Sequence, residues 1–117
     1  MANIGDIYSV RVYFEDKNEY KERPVIIINK TIRNFNEIIY TISEITSKKP
    51  KQPPSYYDNF KEPIKQWWRC GLNKESYVKT NKLYNIKSNK LHKRIGHINN
   101  KSSNFNRIVN RIIEVNF

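Results

Sequence analysis

Residues 5–29 read GDIYSVRVYFEDKNEYKERPVIIIN, and their pattern decides the fold class. Asp6 to Phe14 alternates and is rich in β-branched and aromatic residues, which predicts a strand, with Gly5 as the punctuation before it. Glu15 to Glu22 is polar, charged and turn-like. Arg23-Pro24 then opens Val25-Ile26-Ile27-Ile28-Asn29, a continuous apolar run of the kind buried on both faces. Proline is tolerated at a strand start because the first ladder donor can be spared. The two strands predict a hairpin joined by a long, mobile, charged loop.

Working outward, Lys30 to Asn36 reads as a polar turn, and Ile38 to Thr46 as a third strand with Ile38, Tyr40 and Ile42, or their alternates, facing inward. Residues 47–55 (SKKPKQPPS) carry Pro50, Pro53 and Pro54, which forbid regular structure and predict an exposed basic loop. Lys61 to Arg69 suggests one or two helical turns, with Pro63 in the first turn and Gly71 as terminator. Glu75 to Leu83 returns to strand alternation, extended by Tyr84-Asn85-Ile86. Ser88 to Leu91 is a turn or a short helix start, and Lys93 to Ile98 is a last short strand. Phe105, Ile108, Val109, Ile112 and Ile113 recur at three- and four-residue intervals, predicting an amphipathic helix over about 102–115 capped by Ser102 or Ser103. Strands first and a helix last predict one α+β domain over residues 1–117, built on a small, strongly curved sheet or barrel.

The chain has 117 residues, enough for one core and too few for two. It carries 22 Lys+Arg against 11 Asp+Glu, a formal charge of +11. That excess predicts attraction to a polyanion, nucleic acid above all. No apolar run approaches the ~20 residues that span a bilayer. The apolar stripe of the tail helix is what one domain core needs, which argues against a membrane-surface role. The opening MANIGDIYSV lacks the basic and apolar regions of a signal peptide, and the lone Cys70 fits a reducing cytoplasm. His92 and His97 have no Cys pair at zinc spacing beside them, so neither a metal nor another cofactor is expected.

Taken in order, these segments resemble the MazF/PemK toxins. Gly5-Asp6-Ile7-Tyr8-Ser9-Val10, the charged loop and Arg23-Pro24-Val25-Ile26-Ile27-Ile28-Asn29 are similar to that family's opening hairpin. Ile45-Thr46-Ser47 stands where the family places a catalytic Thr. Gly71-Leu72-Asn73-Lys74-Glu75-Ser76-Tyr77-Val78-Lys79, then Leu83-Tyr84-Asn85-Ile86 and Leu91-His92-Lys93-Arg94-Ile95-Gly96, resemble its later strands. The ordered set carries the resemblance, since no single motif is specific. It implies an SH3-like β-barrel with a C-terminal helix, of the MazF/PemK/CcdB-like kind, a homodimer, and a cognate antitoxin. It also implies metal-independent, sequence-specific cleavage of single-stranded RNA, leaving a 2′,3′-cyclic phosphate and a 5′-hydroxyl. The alternative is a catalytically inactive MazF-like module that binds nucleic acid or a protein target such as gyrase.

Metal-free RNA cleavage needs a base for the 2′-OH, a cation for the phosphorane and an acid for the leaving oxygen. By the resemblance, Arg23 is the catalytic Arg, whose guanidinium forks onto phosphate oxygens and stays charged. Thr46 is the catalytic Thr, with Ser47 beside it. Relatives carry an acidic residue in the first loop; Glu15, Asp16, Glu19 and Glu22 are available, and Glu19 is chosen. PemK-like members use an Arg and an Asp on the later strand, which fall on Lys79 and Asn81; the amide of Asn81 departs from that pattern. RNA binding is expected from basic residues interleaved with stacking rings. Tyr13, Phe14, Lys17, Tyr20 and Lys21 lie in or beside the first loop, and Lys48, Lys49 and Lys51 follow Thr46. Of Trp67 and Trp68 one is expected buried and one exposed, so Trp68 and Arg69 join the RNA-binding set. His92 and His97 are read as structural.

Overall fold

The computed structural model describes residues 2–117, apart from the side chain of Phe14, so the expectation for that ring lies outside the described residues. Among the described residues, six strands precede one helix. The strands are β1 (Asp6–Phe14), β2 (Glu19–Arg33), β3 (Glu37–Thr46), β4 (Lys61–Pro63), β5 (Tyr77–Lys87) and β6 (Leu91–His97). The helix is α1 (Ser103–Asn116). The strands form one antiparallel sheet in the order β4-β5-β3-β2-β1-β6. This is the α+β architecture expected, although the hydrogen-bonded ladder leaves β4 and β6 as edges and does not close on itself. Among the described residues no helix is long and apolar enough to cross a membrane.

Successive residues of β2 face opposite sides of the sheet. Ile26 joins Ile7, Ile45, Val78 and Ile98, with Phe105, Ile108 and Ile112 of α1, in the main core. Val25 and Ile27 pack on the other face with Tyr40, Ile42 and Ala2. The unbroken apolar run of β2 is thus buried on both faces. Ile108 is fully buried, and each such side chain contributes ~1.5–3 kcal/mol. The helix starts where Ser102 Oγ accepts the Phe105 N–H at 3.1 Å, satisfying an otherwise orphaned donor.

Four sequence expectations shift. The charged stretch 15–22 is not a long loop: a 3-10 turn at Glu15–Lys17 suffices, and Tyr20, Lys21 and Glu22 pair with Tyr13, Val12 and Arg11. Charged side chains are compatible with an exposed hairpin arm, because the ladder satisfies the backbone whatever the side chains are. β2 likewise runs on through Thr31 and Ile32, and the turn shrinks to Asn34–Asn36, with Phe35 and Asn36 at positive φ. Pro63 sits not in a helical first turn but in the edge strand β4, where its missing N–H costs no central ladder bond. The only helical turn of that segment is the 3-10 turn Trp67–Cys70, ended by Gly71 at φ 87°. Finally, β6 starts at Leu91, two residues earlier than expected.

One irregularity of the sheet positions the site. β5 pairs with β3 as Leu83 with Ser43, then as Val78 with Ile45, so residues 79–82 stand opposite Glu44 alone. This bulge is pinned at three points. Ser43 Oγ donates to the Lys79 carbonyl at 2.8 Å, and the fully buried Thr80 donates to the Phe60 carbonyl at 2.6 Å. Asn116, at the end of α1, donates to the Thr80 carbonyl at 2.7 Å. Bulges bend a strand and re-aim its side chains.

Candidate active site

A groove of about 470 Å³ opens where β2, β3 and the bulge of β5 meet. Arg23, Thr46, Ser47, Lys48, Lys79 and Lys82 line it, together with Glu44 and Ser76. The positions follow from register. Arg23 pairs with Val10 in β1, and Val25 pairs with Glu44 in β3. Continuing the β2–β3 register past Val25 sets Arg23 across from Thr46, with Glu44 diagonal to it on the same face. Arg23 and Thr46 thus line one groove just past the β2–β3 ladder, and the bulge adds Lys79 and Lys82.

Thr46 ends β3, and its Oγ1 accepts the Lys48 N–H at 3.1 Å. That local turn holds the hydroxyl oxygen, while a threonine hydroxyl still has its hydrogen to donate. The basic loop after it is tethered as well. Lys61 Nζ donates to the Lys48 carbonyl at 3.0 Å and to Asp58 Oδ1 at 2.8 Å. Asp58 Oδ2 accepts the N–H groups of Lys51 and Ser55, each at 3.0 Å. The Lys61 ammonium and these amides hold the Asp58 carboxyl well below the usual carboxylate range. Lys49 and Lys51 extend exposed side chains from this loop.

Other expected residues lie elsewhere. Glu19 is four residues along β2 from Arg23, roughly 13 Å at ~3.3 Å per residue, and pairs with Lys21 at 3.6 Å. It does not line the groove. Tyr13 and Tyr20 pack ring to ring at 4.9 Å on that same hairpin arm, with Lys17 in its turn. Asn81 is in the bulge, half-buried, and does not line the groove either. The tryptophans split: Trp67 packs against the main core, and Trp68 is 62 % exposed beside the exposed Arg69.

The histidines make structural contacts. His97 Nδ1 lies 2.7 Å from the buried Asp6, which also accepts the Asn3 N–H at 2.9 Å and faces Arg94 at 3.5 Å. Burial alone raises the Asp6 pKa, but the Asn3 amide, His97 and Arg94 together outweigh it and lower the carboxyl from its ordinary value. His92 pairs with Glu22, which also faces Arg11 at 3.9 Å. Burial pushes the Cys70 thiol up, the opposite of an activated nucleophile.

Sequence reasoning missed Glu44, Lys82 and the Asp58–Lys61 tether. Asp58 was signalled locally, since Ser55 and Lys61 stand three residues to either side of it. Glu44 had no local signal, because it lies in an ordinary-looking strand and matters through the neighbours the register gives it. Tyr84 donates to Glu44 Oε2 at 3.3 Å, and burial, then Glu44, raises the Tyr84 hydroxyl above its ordinary pKa.

Comparison with known proteins bears on the family and the fold. No curated protein matches the chain in sequence. Among solved structures the chain is similar to the Mycobacterium tuberculosis toxin MazF-mt6, at a TM-score of 0.65 and 20 % identity over 94 % of each chain. That likeness concerns the fold. A family model described as PemK-like, MazF-like toxin of type II toxin-antitoxin system matches residues 3–115. Spanning nearly the whole chain, that match makes this protein a member of the PemK/MazF-like toxin family of type II toxin–antitoxin systems.

Proposed function

We propose that this toxin is a sequence-specific, metal-independent endoribonuclease that cleaves single-stranded RNA in the cytoplasm. It acts as a homodimer and is neutralised by a cognate antitoxin protein. The observation that carries the reading is the convergence of Arg23, Thr46, Lys79 and Lys82 on one groove in a chain of formal charge +11. The alternative, a binding module without catalysis, has no need of a hydroxyl and a guanidinium set across from each other.

The chemistry is an internal transesterification. The ribose 2′-oxygen bonds to phosphorus, the bond from phosphorus to the 5′-oxygen breaks, and a 2′,3′-cyclic phosphate and a 5′-hydroxyl result. Arg23 forks onto the two non-bridging oxygens as their charge grows. Thr46 donates a hydrogen bond to the same phosphate, and Lys79 and Lys82 add positive charge along the groove. Tyr13, Tyr20 and Trp68 are exposed rings on which unpaired bases stack, at roughly 1–3 kcal/mol each. Lys17, Lys21, Ser47, Lys48, Lys49, Lys51 and Arg69 extend the backbone-binding surface.

The test is incubation with a long mixed-sequence single-stranded RNA in EDTA. Discrete fragments ending in a cyclic phosphate, absent with Arg23→Ala, support the reading. Intact RNA at high protein concentration overturns it in favour of the binding module.

A further inference from the structure

We infer that Glu44 is the proton acceptor of the groove, a catalytic residue for RNA cleavage; the inference rests on the nuclease reading above. Of the residues that line the groove, Glu44 alone carries a carboxylate. The other acids near it are engaged away from the groove: Glu22 with Arg11 and His92, Glu75 with the Tyr77 hydroxyl, and Asp58 with Lys61.

Its placement suits the task. Glu44 belongs to β3 and pairs with Val25 of β2, while its β5 side faces the bulge, so its backbone is held by the sheet between the paired Ser43 and Ile45. It sits on the face shared with Arg23 and Thr46, opposite the bulge that delivers Lys79 and Lys82. Half-buried, it is reachable by substrate. One hydrogen bond, from the Tyr84 hydroxyl to Oε2 at 3.3 Å, orients the carboxylate and leaves further lone pairs to accept. Arg23, Thr46 and Glu44 line one groove, so a phosphate bound by the first two shares that groove with the carboxylate.

The proton account balances. Glu44 takes the 2′-OH proton as the 2′-oxygen bonds to phosphorus. The 5′-oxygen leaves and takes a proton from water at the open groove, and Glu44 returns its proton to solvent. No oxidant, reductant or further reactant enters.

The experiment is single-turnover cleavage of one defined RNA across a pH series by the wild type, Glu44→Gln, Glu44→Asp, Glu44→Ala with and without added formate, and Tyr84→Phe. Binding of the same RNA with a 2′-deoxy sugar at the cut site is measured in parallel. Glu44→Gln is expected to lose ~10²–10⁴-fold in cleavage rate and the acid limb of the profile, with binding within a few-fold of wild type. Glu44→Asp keeps part of the rate, and Tyr84→Phe loses less than Glu44→Gln. In Glu44→Ala, added formate restores part of the rate, a readout that a purely structural role would not move. Glu44→Gln cleaving near the wild-type rate with the acid limb intact overturns the assignment and leaves the nuclease reading standing. A wild type that cuts no RNA overturns both.

Discussion

Gly96 of β6 lies so close to Cys70 that a β-carbon on the glycine would fall 1.7 Å from the Cys70 carbonyl oxygen. The contact is reciprocal, since a β-carbon on Gly71 would fall 2.3 Å from the Ile95 carbonyl oxygen. Here the turn that follows the edge strand β4 is seated on the other edge strand, β6. The sheet's ends are joined by backbone packing rather than by a ladder. Gly96→Ala is expected to cost about 3 kcal/mol or more, because the obstacle is backbone and cannot rotate away. Urea denaturation of the variant checks this, and an unchanged midpoint would remove the contact from the stability argument.

Thr46 is expected to act through its hydroxyl alone. Thr46→Ser should keep most of the cleavage rate, and Thr46→Val, nearly the same shape, should lose ~10²–10³-fold. Because Oγ1 also accepts the Lys48 N–H, circular dichroism and RNA binding of the valine variant should be compared with wild type. Equal cleavage by valine and threonine would take the hydroxyl out of the mechanism.

Affinity for single-stranded RNA should fall steeply with salt, since each neutralised phosphate releases counterions. Lys82→Ala should reduce the log–log slope by roughly 0.7, the value for one contact on a single strand, whatever the RNA sequence. A slope that does not change would place Lys82 off the phosphate track.

Asp6 and Asp58 both have carboxyls held below their ordinary value in the folded protein. The unfolded chain binds protons at these positions first as pH falls, so their contribution is complete above the unfolded pKa and is lost on acidification below about pH 4. Asp58→Asn should be less stable than wild type at neutral pH and should lose less on acidification. Urea midpoints taken between neutral pH and pH 2 check the sign. Parallel curves for the two proteins would show that the Lys61 tether carries no linkage.

Much of the architecture was legible in the chain because its signals are local. The alternation of Asp6 to Phe14, the apolar run from Val25 to Ile28 and the three- and four-residue spacing of the tail each report a burial pattern that one element satisfies by itself. Arg23 and Thr46 were nominated through the order of segments that resembles the family, and the structure brings the two to one groove. Charged arms were misread as loops, because ladder pairing satisfies the backbone of Glu19 to Glu22 and of Lys30 to Arg33 without any apolar signal.

What only the tertiary structure decided is which side chains share a groove. A one-residue change of register turns every side chain of a strand to the other face, and a bulge changes the register midway. The bulge of β5 is held by Ser43, Thr80 and Asn116, residues far apart in the chain. Its consequence, Glu44 facing Lys79 and Lys82 beside Arg23, has no trace in local composition. The sequence determined most of the elements and the charge; three-dimensional pairing determined which of their side chains meet.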